Sequence, residues 1–258
     1  MGSRFKDKVA VITGGSSGIG ATIATALASE GAQVTVVASS SLEKAESVAS
    51  AIGGGGGRAK AAVADIRNIA DARRLIDDVV RENGRLDIVV NAAGLFLPTP
   101  AGDTEQSVID LMIDTNVKGT FNVIQAAVPH MKRDGGGKIL NFSSVASHIG
   151  FKGFSLYCAS KAAISMLTRV LGAELAPFDI NINAIAPGNT ETPMNDGMRN
   201  DPEQAHLLEA MERMTPSNRT FSKPQEIAAS ALFLLSEEAR PIHGSTLLAD
   251  EGISAALG

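Results

Sequence analysis

Seven short runs rich in valine, isoleucine, alanine and threonine punctuate the chain at 9–13, 33–38, 59–64, 86–91, 138–143, 180–186 and 245–249. Between them lie stretches of helical apolar spacing near 18–30, 41–52, 69–82, 104–133, 155–176, 203–213 and 224–238. This alternation restricts the fold more than any single residue does. A strand wetted on one face alternates apolar and polar side chains, but most of these runs are apolar throughout, as parallel strands covered on both faces are. Parallel neighbours need a crossover, and a right-handed helical return is the general solution. The pattern predicts an α/β fold, a doubly wound parallel sheet of about seven strands with helices on both faces. No break in composition divides the 258 residues, so a single domain over 1–258 is expected.

Smaller signals refine this outline. Ile19, Ile23 and Leu27 form a four-residue-spaced stripe that turns the first helix toward the core. Ser222-Lys-Pro-Gln225 reads as a capping box, with Pro224 in the first turn of the last long helix. Five consecutive glycines at 53–57 read as a flexible surface turn. The stretch 188–222, rich in Asn, Met, Asp and Pro, is too long for a plain connection and is expected to be a substrate-binding excursion.

Composition excludes several classes of function. With 23 Lys+Arg against 28 Asp+Glu, and no basic cluster beyond Arg73-Arg74 and Lys132-Arg133, nucleic acid is not an expected partner. No apolar run approaches the ~18 residues of a membrane span, and the start of the chain is not that of a signal peptide. Gly2 resembles the beginning of a myristoylation signal, but Lys6 stands where Ser or Thr is needed. Cys158, the one cysteine, has no disulfide partner in the chain and reads as a small packing residue, which fits a cytoplasmic setting. His130, His148, His206 and His243 lack ligand spacing, so no metal is expected. Asn141-Phe-Ser143 and Asn218-Arg-Thr220 are formal glycosylation sequons without significance in such a setting.

The first strand runs into Thr13-Gly-Gly-Ser-Ser-Gly-Ile-Gly20 and then the first helix. Glycines here let the backbone turn tightly and approach a pyrophosphate, which meets the free amides of the helix N-terminus. Alone, such a turn is as often merely structural. With Asn91-Ala-Ala-Gly94, Asn116-Val-Lys-Gly119, Ser143-Ser144, Tyr157-Cys-Ala-Ser-Lys161 and Asn183-Ala-Ile-Ala-Pro-Gly188, in this order and spacing, the chain resembles the short-chain dehydrogenase/reductase family in its compact branch of roughly 250 residues. The likeness runs from about residue 8 to 252. It departs where Ala92 replaces a second Asn, where His243 replaces a common Thr, and where Ala249-Asp-Glu-Gly252 stands for the frequent Val-Asp-Gly-Gly.

The resemblance implies a Rossmann-like fold and a nicotinamide cofactor. It implies cofactor contacts from Gly14, Ser16, Ser17, Gly18, Ile19 and Gly20, from Ser39 and Ser40 after the second strand, and from Asp65 and Ile66 at the adenine. Asn91, Ala92, Ala93 and Gly94, together with Pro187, Gly188, Thr190 and Thr192, complete the cofactor set with Tyr157 and Lys161. The position for an NAD-selecting carboxylate is Ala38, so NADP(H) is favoured and NAD(H) is admitted, although the Arg frequent in NADP-preferring relatives is absent. A homo-oligomer, tetramer or dimer, joined through 104–133 and 155–176 is also implied.

Reduction of a carbonyl needs hydride at carbon and a proton at oxygen, which water at neutral pH supplies poorly. Tyrosine, with an ordinary pKa of about 10, serves as that acid if a cation lowers it. Tyr157 and Lys161 are four residues apart and share a helix face. Ser144 is expected to hydrogen-bond the developing alkoxide, with Ser143 as the decoy, and Asn116 to hold a water in a proton relay to Lys161. A lone helical tyrosine usually only packs; the constellation outweighs that reading. The expected activity is hydride transfer between NADP(H) or NAD(H) and a ketone or secondary alcohol. The rivals are a non-catalytic dinucleotide sensor on the same fold and a sugar-nucleotide epimerase, which the short C-terminal part disfavours. Substrate walls are expected from 95–97, 146–154 and 189–222, with Phe96, Phe151, Phe154, Met194 and Met198 apolar.

Overall fold

The computed structural model describes residues 4–201 and 205–256, without the side chains of Met198 and Leu207. Gly2, the first two residues of the helix expected at 203–213, and the Met198 wall lie outside the described residues. Seven strands form one sheet: β1 (Val9–Thr13), β2 (Gln33–Ala38), β3 (Arg58–Val63), β4 (Ile88–Asn91), β5 (Gly137–Phe142), β6 (Ile180–Pro187) and β7 (Thr246–Ala249). Their order is β3-β2-β1-β4-β5-β6-β7 and every neighbouring pair is parallel. The order reverses between β1 and β4, which opens a crevice beyond the carboxyl ends of those strands.

Ten helices were assigned among the described residues: α1 (Gly18–Ser29), α2 (Leu42–Gly54), α3 (Ile69–Asn83), α4 (Gln106–Ile113), α5 (Thr120–Arg133), α6 (Ser155–Leu175), α7 (Asp196–Asn200), α8 (Ala205–Arg213), α9 (Pro224–Leu235) and α10 (Ile253–Ala256). Alternate residues of each central strand feed opposite layers. Ile12, Val34, Val36 and Val90 pack with Ile23, Leu27 and Leu232 from α1 and α9. Val11, Val37, Val89 and Ile139 pack with Ile76, Val79, Ile124 and Leu171 from α3, α5 and α6. The doubly apolar strands are thus explained by two cores. Edge strands β3 and β7 are the exceptions, with Arg58 and Lys60 of the first and Leu247 and Leu248 of the second exposed.

Three expectations are corrected. The segment 104–133 is not one regular helix: α4 and α5 are joined by a π-helical turn over Asp114–Gly119, and Pro129 lies inside α5. The glycines at 53–57 are not all turn, because Gly53 and Gly54 close α2; Gly56, at φ 83°, makes the turn itself. Finally, Lys223 and not Ser222 caps α9. The Glu226 carboxylate accepts the Lys223 N–H at 2.7 Å, while Ser222 is drawn into a bridge with Thr190 and its hydroxyl donates to Glu251 at 2.8 Å.

That bridge closes the base of the 188–222 excursion. The Ser222 N–H donates to the Asn189 carbonyl (2.9 Å) and the Glu191 N–H to the Ser222 carbonyl (3.0 Å). Arg219 ties the same base to Glu226 and Glu251. Glu251, where the family often has Gly, takes φ 57°, and its carboxylate is occupied by Ser222 and Arg219. His243 likewise has a structural place, its Nε2 lying 3.2 Å from Asn181 Nδ2.

Candidate active site

The glycine turn leaves β1 beneath the crevice. Gly14 has φ 65°, and a Cβ there would lie 2.6 Å from Ala93 N, so the turn and the segment after β4 are in backbone contact. A Cβ on Gly20 would lie 2.3 Å from the Gly14 carbonyl oxygen. Ser17, the N-cap of α1, makes no side-chain capping bond and no acidic residue sits in the first turn. The first amides of α1 are therefore left for an anion, and a pyrophosphate fits there by charge and by shape. Ser16 is half-buried and Ser17 exposed beside them. Thr192 crosses above the turn, its Cβ 3.4 Å from where a Cβ on Gly18 would stand.

At the adenosine end, Ser39 and Ser40 follow β2 as exposed residues, and Ser41 caps α2 by accepting the Lys44 N–H at 3.3 Å. The Asp65 carboxylate is gripped by the Arg67 guanidinium at 2.7–3.1 Å, which holds its carboxyl below the usual range. Both line a cavity of about 500 Å³ with Asn68, Asp114, Lys118 and Asn122. Ile66 and Asn91 are brought to the core and not to an open wall. Ile66 packs where a Cβ on Gly119 would clash, and the Asn91 amide donates to Asn141 Oδ1 at 2.9 Å.

The two serines after β5 separate cleanly. Ser143 donates to the Lys161 carbonyl at 2.9 Å and meets Ser165 Oγ at 2.8 Å, so its hydroxyl is committed to holding α6. Ser144 Oγ instead accepts the Ala146 N–H at 3.2 Å and lies close enough to the Tyr157 phenol to favour its ionised form. Lys161, one helical turn on, is buried; its Nζ donates to the Phe142 carbonyl at 2.8 Å and lies 5.7 Å from the Tyr157 ring centroid. Burial pushes the Lys161 ammonium down to about 8. Burial also pushes the Tyr157 phenol up, against the opposing Ser144 hydrogen bond. In the protein alone, burial of the phenol thus outweighs the Ser144 contribution, and Lys161 is engaged with the Phe142 carbonyl and is itself desolvated.

The π turn presents Asn116. With i→i+5 pairing, the helix gains one residue per turn there, a distortion that concentrates at functional sites. Asn116 Oδ1 accepts the Leu95 N–H at 2.7 Å, and its amide donates to the Leu95 carbonyl (3.0 Å) and to Ser160 Oγ (3.1 Å). A Cβ on Gly94 would sit 3.4 Å from Asn116 Oδ1 and 3.5 Å from Lys161 Nζ, so these groups surround one bare backbone position. Sequence reasoning missed the Phe142 carbonyl, Ser160 and the Leu95 backbone. None carries a motif signal, since carbonyls and small hydroxyls are recruited by geometry alone.

A twisted parallel sheet with a phosphate-ready glycine turn at its switch point, beside a Tyr/Lys/Ser/Asn cluster, defines a dinucleotide-dependent oxidoreductase of the Rossmann class. A family model described as Enoyl-(Acyl carrier protein) reductase matches residues 14–254. The chain is 36% identical over 253 residues to the D-threitol dehydrogenase of Mycolicibacterium smegmatis, covering 96% of this chain and 94% of that one. It is 37% identical over 246 residues to the 3-oxoacyl-(acyl-carrier-protein) reductase FabG of Staphylococcus aureus, covering 95% and 98%. Among solved structures, a short chain dehydrogenase from Burkholderia cenocepacia in complex with NADP superposes with a TM-score of 0.88 at 34% identity, covering 97% of this chain and 99% of that one. The chain belongs to the short-chain dehydrogenase/reductase family and is an enzyme acting on CH–OH and C=O groups. Among the described residues, no helix is long and apolar enough to cross a membrane.

Proposed function

We propose that this chain interconverts a ketone and a secondary alcohol with NADP(H) as favoured carrier and NAD(H) as the second. The observation that carries the reading is the meeting of Tyr157, Ser144, Lys161 and Asn116 at the carboxyl end of the sheet, beside the uncapped start of α1. The bound nicotinamide supplies or accepts the hydride, and with it the two electrons. In reduction, the Tyr157 Oη–H bond breaks, its proton passes to the substrate oxygen, and the new O–H and C–H bonds replace the carbonyl π bond. Ser144 donates to the same oxygen as charge builds on it. Lys161 stabilises the phenolate, and a proton returns to it through water held at Asn116. The Pro187-Gly188 segment, Thr190 and Thr192 frame the nicotinamide side. The absence of a carboxylate at Ala38 and the exposed hydroxyls of Ser39 and Ser40 support NADP(H). The exposure of Phe121, Met166 and Val170 on α5 and α6 supports a homo-oligomer joined through those helices.

Turnover tests the reading. Tyr157→Phe is expected to lose at least ~10³-fold in kcat/KM while still binding NADPH, a loss larger than that of a single oxyanion donor. Normal turnover by this variant sinks the proposal. Quenching titrations of NADPH and NADH decide the carrier, and tighter NADH binding reverses the preference.

A further inference from the structure

The acid of the site stands against an aromatic pair that the chemistry above does not use. The rings of Phe96 and Phe154 are stacked with centroids 4.3 Å apart and planes inclined by 3°. Phe96 also meets the Tyr157 ring edge-on at 4.7 Å and 78°, and remains 38% exposed. A substituent on the reacting carbon, whose oxygen lies at Tyr157 and Ser144, has this flat apolar surface within one ring's width.

The polar groups behind that surface are spent on one another. The Thr99 N–H donates to the Gly153 carbonyl (2.6 Å), Thr99 Oγ1 accepts the Leu156 N–H (3.1 Å), and Ser155 Oγ donates to the Thr99 carbonyl (3.1 Å). Both backbone groups of Leu95 are taken by Asn116, and the Phe154 N–H and carbonyl are paired with Phe151 and Cys158. A substrate hydroxyl laid on the ring faces meets no polar side chain among these, whereas a ring gains contact area and the preferred aromatic geometry.

We infer that the Phe96–Phe154 stack is a substrate shelf that selects ketones and alcohols carrying a ring-closed or aromatic hydrocarbon substituent over open-chain polyhydroxy compounds of similar size. The inference rests on the ketone/alcohol reading above. Its stiffness follows from the Thr99–Phe154 bridge, which locks the two segments that carry the rings.

The test compares kcat/KM for cyclohexanone, acetophenone and a four-carbon trihydroxy ketone, with NADPH and with NADH. Ring ketones are expected to lead the polyhydroxy ketone by about tenfold or more, the scale a pocket gains from a few extra carbons. Phe96→Leu, which keeps apolar bulk but removes the plane, is expected to erase most of that ratio through KM, as loss of uniform binding does. A wild-type preference for the polyhydroxy ketone overturns the shelf, as does a ratio unmoved by Phe96→Leu. Turnover of none of these ketones counts against the ketone/alcohol reading separately. In that event, calorimetric titration of cyclohexanol into the NADP-loaded protein reads the shelf directly: binding abolished by Phe96→Leu upholds it, and no binding overturns it.

Discussion

Ser143 and Ser144 are neighbours in sequence but answer to different parts of the molecule. The first anchors α6 through the Lys161 carbonyl and Ser165, and the second faces the phenol. Ser143→Ala strands buried partners, so it should cost about 1–3 kcal/mol in stability with kcat kept. Ser144→Ala removes the acceptor of the Ala146 N–H, so it should cost about 1 kcal/mol and in addition lower kcat about 10²-fold. Thermal denaturation and steady-state kinetics on the pair read both, and the reversed pattern would contradict the assignment of Ser144. Motif spacing named Tyr157, Lys161, Asn116 and Ser144 because each has a fixed chemical role. It could not supply Phe142, Ser160 or Leu95, because a backbone carbonyl is the same group at every position. Nor does it carry the burial that raises the Tyr157 phenol in the protein alone, or the hydrogen bond that Lys161 makes to the Phe142 carbonyl.

The elements were legible where the pattern is strong. Doubly apolar strands appear near their expected positions, whereas the Asn68 cap of α3, which accepts the Ala70 N–H at 2.9 Å, is absent from the sequence expectations, and the expected Ser222 cap lies instead at Lys223. The π turn at Asp114–Gly119 left no trace in apolar spacing, because one added residue in a long helical run only rotates the stripe. The glycines are also read differently by their surroundings. Gly20→Ala drives a methyl into the Gly14 carbonyl, and should destabilise the fold by about 1–3 kcal/mol and weaken NADPH binding. Gly53→Ala meets nothing within 4 Å inside α2, and should stabilise by roughly 0.5–1 kcal/mol. Melting curves for the two variants, with an NADPH titration of the first, check both signs.

At the scale of the whole molecule, the buried Lys161 makes stability depend on pH. Its folded value of about 8 lies below its ordinary 10.5, so between these limits the unfolded chain binds more protons and stability rises with pH. At neutral pH the cost is about 3 kcal/mol. Tyr157, raised by burial, turns the slope downward above its ordinary value of 10.0, where the unfolded phenol ionises first. Chemical denaturation across this range should show the rise in the wild type and a smaller one in Lys161→Met, where Lys138, also lowered by burial, remains; a slope unchanged in the variant refutes the linkage.

The bridge between Thr190 and Ser222 has a further consequence at this scale. It fixes the ends of the excursion on the rigid sheet, so the entropy of closing that loop is set by the frame and not by its contents. Doubling such a loop costs only about 0.6 kcal/mol more. The residues between the pinned ends are therefore free to diverge at little thermodynamic risk.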